Sequence, residues 1–461
     1  MPPAENSQTR GKTSRNSSVG TALTWGLILI TLGLFAWLLP EGRWQGDEYG
    51  YAAMIRDHGT AGVISRLTSW SPRPVGELLN ILYFRLVILR NSPLIAACLG
   101  GLWIGALAVI FLAGRIAGEK RPLLLAALLL TLSLLLCAPA EMFWWPQAAL
   151  SYVPAWAGLA AMSVLAARPA GHKPLPVMAA LLLAAWSQEG GAITVFLFAA
   201  PACLLFLRTD RKMTAALAAA TLGATYVLLT NATHRMGSKG EIFDPASGLA
   251  GHWLASARAS VPTFLHELLT VQDLAPLAGP VTAFLLLAAF PGLRLRTHRT
   301  ALAWMWAAAL MLGAWSTIIL TNYEFGQVCC VRHGNLRQTQ MLLALAALRA
   351  TAPAAAGSLR RTAATLAVLS LLLTLRWPAI RHDIAIRNRV ISDLTQTWSA
   401  LHDNSTAMTL LSAPPGKITF TSSLPEGHFT RSNAPWWAKG ALDWFRKDQI
   451  EFRNDPGAPD R

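Results

Sequence analysis

The sequence predicts an all-α integral membrane protein with about eleven transmembrane helices, interfacial helices in its first outer loop and a small extramembrane C-terminal tail. Three observations predict it. Of 461 residues, 53% are hydrophobic and only 14% charged, where a soluble domain carries about 25% charged residues. Apolar runs of roughly 16 to 21 residues, long enough to cross a hydrocarbon core about 30 Å thick, recur along most of the chain. The connections between them alternate between short basic turns and segments rich in ionisable and aromatic residues.

In chain order, residues 1–20 form a polar lead expected to be disordered. The first apolar run, 21–39, has basic residues before it but ends in Leu39-Pro40-Glu41-Gly42, with no small-x-small cleavage site. It is therefore expected to be a retained anchor rather than a removed signal peptide. Further spans are expected at 94–114, 122–138, 149–167, 174–188, 192–207, 213–230, 276–293, 300–320, 338–350 and 362–377. The apolar stretch 75–90 is interrupted by Glu77, Asn80, Arg85 and Arg90, which suits an interfacial helix instead. The membrane domain thus covers 21–377, with outer loops at 40–92, 139–148, 231–275 and 321–337, and a non-cytoplasmic region at 378–461.

The formal charge is +15, and its distribution argues for a membrane rather than nucleic acid as partner. Alternate connections carry Arg10, Lys12 and Arg15; Arg115, Lys120 and Arg121; Arg168 and Lys173. The series continues with Arg208, Arg211 and Lys212; Arg294, Arg296 and Arg299; Arg349, Arg360 and Arg361. Cytoplasmic turns carry such an excess of Lys and Arg. The alternation places the N-terminus in the cytoplasm and the C-terminus outside, and it fails if 75–90 is counted as a span. Cys98, Cys137, Cys203, Cys329 and Cys330 have no metal or disulfide spacing. The absence of a Walker loop or a dinucleotide fingerprint argues against an ATP-driven pump.

The outer connections carry the chemistry. In the first, Gly46-Asp47-Glu48-Tyr49 opens a short helix expected to be capped by Asp47 and stopped at Gly59, followed by the rigid turn Ser69-Trp70-Ser71-Pro72-Arg73-Pro74. Acidic residues suit a helix start for structural reasons alone, because free N–H groups and the helix dipole stabilise them there. The second holds Glu141, Trp144, Trp145 and Tyr152, whose rings also suit an interfacial aromatic belt. Glu189 lies between two apolar runs with almost no loop around it. The connection 231–275 contains His234, Arg235, Lys239, Glu241 and Asp244, the last two expected to be solvated, and the last inter-helix turn contains Arg332, His333 and Arg337. Ionisable residues near membrane depth usually mark function. Together these groups suit a sugar and a phosphate: rings stack on sugar faces, and guanidinium forks match phosphate oxygens.

The pattern resembles the GT-C superfamily of membrane glycosyltransferases, whose members carry an acidic motif in a long first outer loop. It is similar in particular to an uncharacterised bacterial set with an Asp-Asp/Glu-Tyr motif, an aromatic-Ser-x-Arg turn and a Trp-rich, Tyr-Pro-containing second outer loop. Here these match Asp47-Glu48-Tyr49, Trp70 to Arg73, and Glu141 through Tyr152-Val153-Pro154. The likeness covers roughly 20–380; this chain has Pro72 where a glycine before the arginine is usual, and its tail matches no carbohydrate module.

The resemblance implies transfer of a sugar from a polyprenyl-phosphate donor to a glycan, lipid or protein acceptor at the outer face of a bacterial cytoplasmic membrane. Asp47 would be the base, with Glu48 or Glu189 orienting it. Arg332, His333 and Arg337 would stabilise the leaving phosphate, with Arg73 in reserve. The resemblance implies no definite cofactor; where relatives use a divalent cation such as Mg or Mn, Asp47 and Glu48, or Glu189, would hold it. Segments 75–90 and 247–270 would shape a groove for the lipid chain. The tail, with alternation at 418–422 and the pair Trp436-Trp437, would contact the acceptor or serve only as scaffold. Alternative readings are a transporter or flippase, or a polymerase or ligase, of lipid-linked saccharides, and a non-catalytic scaffold.

Overall fold

The computed structural model describes residues 7–69, 71–136, 140–168, 172–235, 248–269, 298–325, 331–350, 358–399, 401, 404–412, 415–419 and 426–454. Where the described chain has its long apolar runs it is helical. Helix α1 (Ser7–Trp37) extends back into the lead expected to be disordered. Helices α2 (Gly46–Ser69) and α3 (Pro74–Arg90) build the first long connection. After them come α4 (Ile95–Ile116), α5 (Pro122–Leu136), a single π-turn (Ala140–Trp144), α6 (Pro146–Ala166), α7 (Pro174–Ser187), α8 (Glu189–Phe206) and α9 (Arg211–Arg235). Pro74, Pro122, Pro146 and Pro174 each open a helix, where a missing N–H costs nothing and φ is already helical. Helices α10 (Gly248–Leu269), α11 (His298–Phe325), α12 (Val331–Ala350) and α13 (Ser358–Ser399) complete the bundle.

Among the described residues, seven helices are long and apolar enough to cross a membrane, lying at Val19–Glu41, Ile95–Ile116, Pro146–Ala166, Glu189–Phe206, Arg211–Asn231, Ala301–Tyr323 and Thr362–Ser399. The expected count of about eleven is not reached among the described residues. The 15-residue α5 and 14-residue α7 span only about 21–23 Å at 1.5 Å per residue, short of a roughly 30 Å core. The expected span 338–350 is the C-terminal part of α12, whose buried face carries Gln338 and Gln340, and 276–293 lies outside the described residues. Helix α13 continues through Pro378 to Ser399, past the end expected at 377.

Helix α6 is the centre of the bundle, with its whole apolar window buried. Its small residues permit close neighbours: a Cβ on Gly158 would lie 2.6 Å from the backbone N of Ala184 in α7. Polar cross-links add direction. The Trp306 indole donates to Ser163 Oγ at 2.8 Å, Gln340 donates to Thr194 Oγ1 at 2.8 Å, and buried Arg376 donates to the Leu135 carbonyl at 2.9 Å near the end of α5.

The tail adds a three-stranded sheet, so the chain is mostly rather than wholly helical. Strands β1 (Ala407–Ser412), β2 (Gly427–Thr430) and β3 (Gln449–Asn454) lie in the order β1-β3-β2, with β1 parallel and β2 antiparallel to β3. Helix α14 (Trp436–Phe445) packs on α2. Glycines allow this crossing: a Cβ on Gly440 would meet the Gly46 carbonyl at 2.7 Å, and one on Gly46 would collide with the backbone of Trp437. Trp44 joins the pieces, with Tyr49, Phe84, Trp398 and Trp444 around it at ring separations of 5.3, 5.4, 5.0 and 5.8 Å. The tail therefore shares a core with the first connection.

Candidate functional site

Helix α2 starts with a capping interaction. The Glu48 carboxylate, three residues into the helix, reaches back to accept the N–H of Gln45 at 2.8 Å, as an acidic residue at that position does in a capping box. Its other oxygen accepts the N–H of Gln147 at 3.1 Å, fastening α2 to the start of α6. The cap is thus Glu48 rather than Asp47, and Glu48 is fully buried. Burial pushes its pKa up to about 8.

Asp47 is one residue earlier, which on a helix is a different face. With Gly50, Tyr51 and Met54 it forms the helical stripe that lines a cavity of about 420 Å³. Its carboxylate makes no hydrogen bond or ion pair to a described residue. Burial raises its pKa, and the facing guanidiniums of Arg332 and Arg66 work against that rise. At Gly59 (φ 58°) the helix kinks instead of stopping, and the chain beyond it brings Arg66 to the cavity wall. Arg66 stacks over the Tyr51 ring at 4.9 Å and stands 3.8 Å from Glu77, to which Tyr51 also donates.

The other walls come from distant segments. Arg73, just before α3, grips Glu189 through Nε–Oε1 at 2.8 Å and Nη2–Oε2 at 2.7 Å. The Gln188 side chain caps α8 by accepting the Gly191 N–H, so Glu189 is held at the helix start by its neighbour. Arg332 lies 4.6 Å over the Trp145 ring, and its backbone N–H donates to Glu141 at 3.1 Å. The Tyr152 hydroxyl is 3.2 Å from His333 Nε2. Burial, helped by Arg332 and Arg337, holds the His333 pKa well below the ordinary histidine range, so the ring is neutral. Trp436 of the tail closes one side.

Of the residues singled out in the sequence, Asp47, Arg73, Trp145, Tyr152, Glu189, Arg332 and His333 line this one cavity. Others are directed elsewhere. Trp144 is buried and donates to the Leu38 carbonyl at 3.1 Å. Arg337 is also buried, one turn beyond His333, and forms a two-pronged pair with Glu267 of α10. His234 and Arg235 end α9, but their side chains lie outside the described residues, as do Trp70, Lys239, Glu241 and Asp244.

No family model, curated protein or solved structure matches this chain.

Asp47 and Glu48 do not fit a shared divalent cation, because both Glu48 oxygens already accept backbone N–H groups behind the cavity wall. Among the described residues no group of three or more His, Cys, Asp or Glu side chains converges. Two lining residues are not placed at this cavity by the sequence, although the Trp436-Trp437 pair stands out in it. Arg66 lies beyond the Gly59 kink, which resets the helical phase linking it to Asp47. Trp436 is nearly 400 residues from Asp47 and reaches the cavity only through the packing of α14.

Proposed function

We propose that the chain is a glycosyltransferase that uses a polyprenyl-phosphate-linked sugar and works at the end of the bundle where the motif residues gather. The observation that carries this reading is Asp47: a carboxylate without a direct partner among the described residues, facing a cavity with two guanidiniums across it. A raised pKa brings a carboxylate closer to the range useful for a general base. In the proposed reaction Asp47 takes the proton of an acceptor hydroxyl, whose oxygen attacks the anomeric carbon. The bond from that carbon to the phosphate oxygen breaks, and Arg332 and Arg66 receive the charge of the departing lipid phosphate. Inverting displacement follows from attack opposite the leaving group. Trp145 and Tyr152 supply ring faces for the sugar, and neutral His333 holds the Tyr152 hydroxyl in place.

A lipid-linked donor is supported by the flanks. Leu78, Leu82, Leu86 and Leu89 form one exposed stripe along α3, the helix that begins beside Arg73. Helix α10 exposes Leu254, Val261, Leu265 and Leu268. Such stripes lie favourably in a membrane interface. The setting proposed with this reading is a bacterial cytoplasmic membrane with the cavity at its outer face and membership of the GT-C superfamily. The test compares surface glycans, by mass spectrometry, in cells with the gene, without it, and with Asp47→Asn. A glycan lost on deletion and not restored by Asp47→Asn supports the proposal; full restoration by that variant, made at equal level in the membrane, removes Asp47 from the chemistry.

A further inference from the structure

A second cavity, of about 480 Å³, lies between α2 and the tail. It shares Gly50 and Met54 with the first, so the two adjoin. Its wall holds Arg56, Arg431 and Arg446 against Asp57 and Asp443, with His58 beside them. Two of the three arginines are spent on the protein itself. Arg56 donates to Asp57 at 2.8 Å and to the carbonyls of Trp444 and Asp443 at 2.7 and 3.0 Å. Arg431 donates to Asp443 at 2.8 Å and to Asp448 at 3.2 Å.

Arg446 is different. Its side chain is exposed and makes no hydrogen bond or ion pair to a described residue. It ends α14 in the left-handed conformation, φ 55° and ψ 44°, a place that glycine or asparagine takes with less strain. A cation there suits the helix dipole, but glycine would suit the backbone better. The position thus presents to a polar cavity, at a conformational cost, a guanidinium whose charge is felt by Asp57 but whose N–H groups donate to no described residue. Trp436 stands 69% exposed on the wall of the adjoining first cavity, which Asp47 also lines. Along α2 the ten residues from Asp47 to Asp57 cover about 15 Å, the reach of a short oligosaccharide.

We propose that the cavity between α2 and the tail binds the acidic group of an anionic oligosaccharide acceptor, with Arg446 as its fork and Trp436 as the stacking face on the way to Asp47. The inference rests on the transferase reading above and adds the acceptor's chemistry to it. A neutral glycan would offer the Arg446 N–H groups no charged acceptor, whereas a carboxylate or phosphate on the sugar would engage them with two parallel hydrogen bonds.

The test is equilibrium binding to the full chain in lipid nanodiscs, with trigalacturonate and a phosphorylated maltotriose as acidic probes, maltotriose as the neutral one and hexaglutamate as an acidic peptide. One or both acidic sugars are expected to bind; which one does tells carboxylate from phosphate. Arg446→Gly, which relieves the backbone, is expected to weaken that binding by about tenfold or more, since both hydrogen bonds to the charged group are lost. Trp436→Ala is expected to weaken it as well, and Arg446→Lys to restore part of it. Equal binding of maltotriose or of hexaglutamate, or acidic-sugar binding indifferent to Arg446→Gly, overturns the proposal. Because binding is read without turnover, glycan synthesis fully restored by Asp47→Asn, with Arg446-dependent binding intact, would defeat only the transferase reading. Transfer that depends on Asp47 while binding ignores Arg446 would defeat only this one.

Discussion

Arg73 and Glu189 are 116 residues apart in the chain and meet in two parallel hydrogen bonds at the cavity wall. Both side chains are largely buried, so removing one partner leaves a charge in a poor solvent. Glu189→Ala or Arg73→Ala is expected to lose about 3 kcal/mol of stability. The double replacement Arg73→Met with Glu189→Leu should recover much of it, since the desolvation of both ions is then avoided. Thermal unfolding in one detergent across the four proteins checks this, and a double variant no more stable than either single one would refute the pairing as the source of the loss.

Arg66 and Arg332 line the cavity with Asp47 and act on its charge without pairing with it. If they receive the leaving phosphate, Arg66→Ala and Arg332→Ala should each reduce transfer by about 10²-fold or more, the scale seen when one preorganised donor is removed. Lysine at either position should restore less than full rate, having no planar fork. Arg337→Ala provides the contrast: its partner is Glu267, so its effect should fall mainly on stability. Rates with a labelled lipid-linked donor, set beside melting temperatures, separate the two effects.

If Asp47 is the base of the proposed transfer, acid should silence that transfer above the ordinary aspartate range. Burial raises the Asp47 pKa, so on lowering pH the carboxylate is protonated sooner than a solvated aspartate. The acid limb of the rate profile should therefore lie above that of a free Asp, and Arg66→Gln, which removes a counter-charge, should move it higher still. A limb unmoved by Arg66→Gln would argue that another group sets it.

Glu48 gives a stability signature with the opposite look. Its pKa is about 8 when folded against an ordinary 4.5, so between those values the folded state holds a proton that the unfolded state has released. Stability must then fall as pH rises through that window. Thermal melts from pH 5 to 9 should show this decline in the wild type and a flatter curve in Glu48→Gln, which cannot ionise. A decline of equal slope in the variant would assign it to another group.

The tail is docked by contact between glycines. Gly440→Ala places a methyl 2.7 Å from the Gly46 carbonyl, which backbone cannot accommodate without a shift, at a cost of about 1–3 kcal/mol. Limited proteolysis should then cut the tail faster while the bundle persists. Unchanged protection would show that the crossing can relax.

Much of this was legible in the residue order, for a physical reason. Burial in an apolar environment demands long runs of apolar residues, so the helices announced themselves at 94–114, 149–167, 213–230 and 300–320, and prolines marked several starts. Ionisable groups set against such runs stand out because they are costly there, and Asp47, Arg73, Glu189, Arg332 and His333 were found in that way. Spacing could not show which of two adjacent carboxylates faces the cavity, because the answer depends on what the helix packs against. Packing turned Glu48 inward to two backbone amides and left Asp47 in the open. It also spent Arg337 on Glu267, brought Arg66 around the Gly59 kink and set Trp436 beside residues nearly 400 positions earlier. A sequence records which groups are expensive to bury; only the tertiary structure decides which of them find partners and which are left facing a cavity.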